Sequence, residues 1–360
     1  MLTESQKTKL ADYKNNAAAS TKAKERLTDL FDDGVYTEIN SAVKAEDAAV
    51  VTAYGYVDGS PVYAFSQDKS VNNGAVTKAV AAKICKVYEL ASRNGVPVVG
   101  IFDSNGAVVT DGADAIASYS EILAYTNNLS GVVPQIAVIA GTCVGSAALI
   151  AASSDFVVAT EDSAIYLTAG EGKNGADAAK LGGVSVLAKD DAAAVKSARD
   201  ILSLLPANNL AVAPEFEFTA PAKAADGKAS DVAEALADEG SVIELSKEFG
   251  KASYTALATL GGSVVGIAAT NKTADKLTSD DSSKLARFVR TCDAFSIPVV
   301  TVIDTEGFEN NDNIRDLAKL ANAYAEATTV KVSVVTGNAI GSAMVALGTA
   351  NADMTFAYPN

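Results

Sequence analysis

The sequence predicts an α/β protein made of two similar domains, each a set of parallel β-strands covered by helices. Two observations carry that expectation. QIAVIAGTCVGSAALIA (residues 135–151) and KVSVVTGNAIGSAMVAL (331–347) follow one pattern: an apolar β-branched run, Gly, three residues, Gly-Ser-Ala, then a small-residue helix. Other segments repeat in the same order. LFDDGVYTEI (30–39) resembles LADEGSVIEL (236–245), YVDGSPVYAF (56–65) resembles TLGGSVVGIA (259–268), and NGVPVVGIFDSNG (94–106) resembles FSIPVVTVIDTEG (295–307). The spacing drifts slowly while the order is kept, and a period this long signals duplicated domains rather than a solenoid.

The elements follow one plan in each half. The runs 50–57 and 62–66, joined by Asp58-Gly59, predict a hairpin. A helix over 79–94 leads into a buried strand over 97–103, and a helix over 114–127 leads into a second strand over 135–140. Continuous Val/Ile strands alternating with helices indicate a parallel sheet. Residues 214–231, PEFEFTAPAKAADGKASD, read as the linker, which places the domains at 1–215 and 216–360.

Bulk properties narrow the function. The formal charge of −15 argues against nucleic acid as a partner. No apolar run approaches the ~20 residues of a membrane span, and the polar start MLTESQKTKLADYKNN is unlike a secretory signal. Three scattered cysteines suit a reducing compartment, so a cytoplasmic location is expected. The chain has no histidine. That excludes a Ser-His or Cys-His dyad and a His-ligated metal, and no other metal-ligand spacing is present. Any chemistry must rest on backbone electrostatics, positioning, carboxylates, Lys or Tyr.

The paired glycine turns are the leading candidates. Backbone N–H groups converge at a strand-Gly-turn-helix junction, and the helix start adds partial positive charge, which suits a developing oxyanion. A single such turn is better explained by close packing, since glycine permits tight turns in any α/β protein, and it is the matched second copy that tips the reading toward chemistry. Cys143, Cys85 and Cys292 read as buried structural residues. Lys78, Lys83, Lys86 and Arg93 could meet phosphates, but for most of them a solvated surface role is the better reading. Asp32-Asp33, Asp190-Asp191 and Asp280-Asp281 read as helix starts or turns, and Tyr54, Tyr56 and Tyr63 as sheet packing.

DSSKLARFVRTCDAFSIPVVTVIDTEGF (281–308), YAEATTVKVSVVTGNAIGSA (324–343), VVTAYGYVDGSPVYAFSQD (50–68), KICKVYELA (83–91), GVVPQIAVIAGTCVGSA (131–147), DFVVATEDSAIYLT (155–168) and LLPANN (204–209) carry a family resemblance over nearly the whole chain. The chain resembles the carboxyltransferase subunits of biotin-dependent acyl-CoA carboxylases and decarboxylases, proteins of two crotonase-like (ClpP/crotonase) domains related by a pseudo-twofold axis. The resemblance implies transfer of a carboxyl group between biotin and the α-carbon of a small acyl-CoA: acetyl-, propionyl- or methylmalonyl-CoA. It implies biotin on a separate carrier protein, a coenzyme A thioester as substrate, no metal, and other carboxylase or decarboxylase subunits as partners. It also implies a homo-oligomer, a dimer or trimer of dimers, with acyl-CoA on the N-terminal domain and biotin on the C-terminal domain.

Carried over residue by residue, the catalytic backbone positions are Gly145 and Ser146 in the first half and Gly341, Ser342 and Ala343 in the second. The substrate-binding turns are Asn105, Gly106 and Ala107, and Gly307 and Phe308. Ser146 and Ser342 replace a usual glycine, as does Asn105; Val108 replaces a usual arginine and Glu306 a usual proline. Family members usually continue well past FAYPN (356–360), so the C-terminal half is expected either to be shortened or to have further segments beyond this sequence. Two alternatives remain: a biotin-independent crotonase-type enzyme using Glu306 or Asp103 as acid or base, and a non-catalytic scaffold paralogue.

Overall fold

The computed structural model describes residues 20–41, 48–107, 112–168, 170–222, 229–270, 276–309 and 314–357. The polar start of the chain, Val108 and the middle of the linker lie outside them. The described residues fall into two compact units, one within Met1–Gly175 and Leu187–Arg199, the other within Ala176–Val186 and Asp200–Asn360.

The first unit holds α1 (Lys22–Leu30), β1 (Tyr36–Glu38), β2 (Val50–Val57), β3 (Ser60–Gln67), α2 (Lys78–Asn94), β4 (Val98–Ser104), α3 (Ala113–Asn128), β5 (Gln135–Val144), α4 (Ser146–Ala152), β6 (Phe156–Thr160) and β7 (Ala164–Tyr166). After α5 (Gly175–Lys180) the chain adds β8 (Val186–Ala188) and α6 (Asp191–Leu204). The sheet order is β1-β2-β3-β4-β5-β6-β8, with β7 on the far end of β5. β1, β2 and β3 pair antiparallel, while β3 to β6 run parallel. β4 is buried along its whole length, its polar end Asp103-Ser104 included, as suits a central parallel strand.

The second unit repeats this plan with α7 (Ala229–Leu236), β9 (Ile243–Leu245), β10 (Tyr254–Leu260), β11 (Ser263–Ala269), α8 (Ser279–Ala294), β12 (Val299–Thr305), α9 (Ile314–Glu326), β13 (Lys331–Ala339), α10 (Ser342–Ala346) and β14 (Met354–Ala357). Its sheet order is β9-β10-β11-β12-β13-β14, antiparallel through β11 and parallel from there. Strand for strand, β9 to β14 match β1 to β6.

The duplication extends to single hydrogen bonds. Asp32 takes the hairpin amides of Asp58 and Gly59 at 3.0 and 2.9 Å; Asp238 takes those of Gly261 and Gly262 at 3.0 and 2.7 Å. Each carboxylate thus satisfies two N–H groups that a tight turn leaves without a partner. Thr77 caps α2 by accepting from Val80, and Thr278 forms a capping box with Asp281 at the start of α8. α2 ends on left-handed Gly95, whereas at the corresponding place after α8 Ser296 adopts φ 54°, a conformation costly for a side-chain-bearing residue.

Two expectations are refined. Lys83 is buried: its Nζ donates to the Val50 carbonyl at 2.9 Å, and burial lowers its pKa. Lys284 matches it, donating to the Phe249 and Ser253 carbonyls. Lys83 satisfies a strand carbonyl and Lys284 carbonyls of the loop before β10, while Lys86 and Arg93 pair with Glu89 on the surface. The start of the linker is not loose either, since the Phe216 amide donates to the Gly262 carbonyl at 2.8 Å.

Candidate active site

The two glycine turns have nearly the same backbone geometry. Gly145 has φ 61° and ψ −130°, and Gly341 has φ 56° and ψ −120°. These are the angles of the first central residue of a type II′ turn, a position that favours glycine. In the second unit the Ala343 amide closes the turn by donating to the Ile340 carbonyl at 3.2 Å. Ala343 therefore has no amide to spare, and Ser342, the second central residue, projects the available N–H. Ser146 occupies the same place in the first unit, where Gly145 donates to Tyr166 at 2.9 Å. Both serines are exposed.

A second turn faces each of these. Gly106, at φ 105°, would place a Cβ 3.9 Å from Val144 Cγ2, and Gly307, at φ 100°, would place one 3.9 Å from the Ile340 carbonyl oxygen. Strand pairing fixes the approach: Ser104 pairs with Cys143, and Thr305 with Ala339. The structure thus brings Asn105, Gly106 and Ala107 beside Gly145 and Ser146, and Gly307 and Phe308 beside Gly341 and Ser342. Within these loops several amides are already engaged. Asn105 donates to the Asn73 carbonyl at 3.1 Å. Gly106 donates to Ser104 Oγ at 3.1 Å and Gly307 to Thr305 Oγ1 at 3.2 Å. The parallel bridges Val76–Ala107 and Leu277–Phe308 use the residues on either side. Ala107 and Ser146, and Phe308 and Ser342, are left with N–H groups that meet no acceptor among the described residues.

Behind the first turn lies a buried charged network that the motif reading missed. Asp103, 5% exposed, accepts from the Thr142 amide at 3.1 Å and from Arg26 Nη2 at 3.1 Å, with Lys69 Nζ at 3.5 Å. Arg26, 4% exposed, also reaches Asp191 at 2.8 Å and the Ala140 carbonyl at 3.2 Å. Arg26, Lys69 and Asp191 of this network line a cleft of about 660 Å³ between the start of α1, the end of β5 and the start of α6, where lysines (Lys22, Lys189) and carboxylates (Glu25, Asp29) are mixed. In the second unit Asp304 accepts from the Asn338 amide at 2.9 Å.

Asp103 is thereby committed to three partners. Glu306 is exposed and stands on the turn before Gly307. Cys143 is fully buried and burial pushes its thiol pKa up, so it is no nucleophile. Among the described residues no His, Cys, Asp and Glu cluster could hold a metal ion, and no helix is long and apolar enough to cross a membrane.

A carboxyl transferase domain matches residues 14–360. The chain belongs to the carboxyl transferase family. It is 35% identical to the methylmalonyl-CoA decarboxylase subunit alpha of Propionigenium modestum, an alignment covering 96% of this chain and 77% of that one. It is 34% identical to the propionyl-CoA carboxylase beta chain of Roseobacter denitrificans, covering 94% and 76%. Among solved structures, transcarboxylase 12S with hydrolyzed methylmalonyl-coenzyme A bound superposes with a TM-score of 0.86 at 30% identity, covering 98% of this chain and 78% of that one. The repeated sheet of each unit is the crotonase-like carboxyltransferase fold.

Proposed function

We propose that this protein is the carboxyltransferase subunit of a biotin-dependent enzyme, moving a carboxyl group between biotin on a separate carrier protein and the α-carbon of a small acyl-CoA. Acetyl-, propionyl- and methylmalonyl-CoA are the candidates, and the relatives' names favour the last two. The observation that carries this reading is the duplication of a donor pair: Ala107 with Ser146, and Phe308 with Ser342, each on turns held in the same backbone geometry.

Two such pairs suit a reaction in which two oxygens gain charge. Ala107 and Ser146 would hold the thioester oxygen as the α-carbon acquires enolate character. Phe308 and Ser342 would hold the ureido oxygen of biotin. The residues present fit that role, since no acceptor among the described residues takes their amides. When bound, carboxybiotin supplies the carboxyl group as CO₂ and accepts the α-proton on N1. The chain itself then needs no histidine base, and Asp103 is not asked to be one. Donors of this kind are typically worth about 10²–10³ in rate each.

The test is transfer of labelled carboxyl from methylmalonyl-CoA or malonyl-CoA to biocytin by the folded protein. Product with at least one acyl-CoA supports the reading. Absence of product with all of them overturns it, and acyl-CoA turnover without biotin would replace it with a crotonase-type reaction.

A further inference from the structure

We propose that Asp103 and Asp304 are twin positioning residues, each a strut that holds the strand segment aiming the neighbouring turn amide. The inference rests on the reading of the turns given above. Both residues stand next to last in their strands, β4 and β12. Beyond each, the ladder slips in the same way. Phe102 pairs with Ile139 but Ser104 with Cys143, and Ile303 pairs with Val335 but Thr305 with Ala339. Between the paired positions the aspartate alone thus faces three residues of the other strand. A slip of this kind strips backbone amides of their ladder partners, and a side chain that replaces the lost acceptor holds the slipped segment in one place.

The aspartates supply it. Asp103 Oδ1 takes the Thr142 amide at 3.1 Å and Asp304 Oδ1 takes the Asn338 amide at 2.9 Å, in each case three residues before the turn glycine. Gly141 and Gly337 lie flat against the same carboxylates, where any Cβ would collide with them. The backbone of each aspartate is pinned in turn from the neighbouring strand: Gln67 Oε1 accepts from Asp103 N at 3.1 Å, and Thr270 Oγ1 from Asp304 N at 2.8 Å. The same four features recur although the side chains supporting them differ. A purely local packing need would not require the acceptor to sit at the root of both donor-bearing turns. With the strut gone the slipped segment can relax, and a displacement of about 1 Å at a donor is enough to cost roughly 10²-fold in rate.

Asp304 gives the cleaner test. Asp304→Asn keeps an oxygen for the Asn338 amide; Asp304→Ala removes it. In the folded protein, amide hydrogen exchange at Asn338 is expected to rise more than about tenfold in Asp304→Ala and to stay near the parent value in Asp304→Asn. Carboxyl transfer to biocytin is expected to lose about 10²-fold in kcat in Asp304→Ala, with KM for acyl-CoA nearly unchanged, and to be restored in Asp304→Asn. Should Asp304→Ala fail to fold, Asp304→Ser, whose hydroxyl stops short of the amide, makes the same comparison. Unchanged exchange in the alanine or serine variant overturns the strut. Raised exchange with undiminished kcat overturns its positioning role. If the parent protein transfers no carboxyl group, the functional reading fails, and the exchange measurement alone decides the strut.

Discussion

Replacing Arg26 by methionine keeps the length of the side chain but removes the buried one of the two positive charges beside Asp103, leaving only the half-exposed Lys69 at 3.5 Å. Arg26 is almost fully buried, and Asp103, the strut of the first turn, lies 3.1 Å from its Nη2. Removing one partner of a buried ion pair costs about 3–5 kcal/mol, because the other charge is left desolvated. The second partner, Asp191, is 36% exposed, so its share is at most about 1 kcal/mol. Asp191→Asn should therefore be mild and Arg26→Met severe. For a unit of this size about 3–5 kcal/mol corresponds to a loss of roughly 6–20 °C in Tm. Urea unfolding followed by far-ultraviolet circular dichroism measures the difference, with an unchanged m-value showing that stability alone has moved. The double variant Arg26→Met/Asp103→Asn should recover part of the loss, since no unpaired charge remains buried. An Arg26→Met protein within about 1 kcal/mol of the parent, or a double variant as weak as the sum of the singles, would refute this assignment.

Gly145→Ala has open space around the new methyl, so its cost comes from the backbone alone: about 1–3 kcal/mol of strain. Unfolding midpoint and kcat should both fall, the latter by about 10²-fold or more, whereas Ser146→Ala, which retains the N–H, should stay within a few-fold. The Asp32 carboxyl is partly buried, which opposes ionisation, but the Gly59 amide, Arg199 and the Asp58 amide outweigh this and hold its pKa below 3.8; the Gly262 and Gly261 amides and Thr259 do the same for Asp238. A lowered folded-state pKa contributes stability that is present above the unfolded value and lost as pH falls through the folded one. Asp32→Asn and Asp238→Asn should therefore be less stable than the parent at pH 7, and flatter below about pH 4, in urea midpoints taken against pH. Burial pushes the Cys85 thiol up to about 12 and raises those of Cys143 and Cys292 as well. The native protein should gain no iodoacetamide adduct on these residues at pH 8 by intact mass, and all three should react after denaturation.

Much of the fold was legible because hydrophobic continuity and duplication report the same thing. Val98 to Phe102 is an unbroken apolar run and Val299 to Ile303 is broken only by Thr301, a pattern that suits strands covered on both faces. The turn glycines were legible because tight backbone geometry restricts residue choice. The strut aspartates were not. Asp103 and Asp304 follow apolar strands in both repeats, but nothing in their spacing from Thr142 or Asn338 shows that the ladder slips between them. Lys83 could not be told apart from its surface neighbours Lys86 and Arg93, because helical periodicity cannot reveal the Val50 carbonyl waiting for it. Arg26 stands far from Asp103 in the chain and is polar, so only the folded structure joins them. The availability of single amides was equally hidden: Gly106 and Gly307 fit the motif, yet their N–H groups serve Ser104 and Thr305.

The claim that each turn serves its own substrate is tested most directly by protein labelled with ¹⁵N at serine alone, titrated with propionyl-CoA and separately with biocytin. The account predicts that propionyl-CoA moves the Ser146 amide resonance and leaves Ser342 in place, while biocytin moves Ser342 and leaves Ser146. Movement of neither resonance, or of the same one by both ligands, would contradict it.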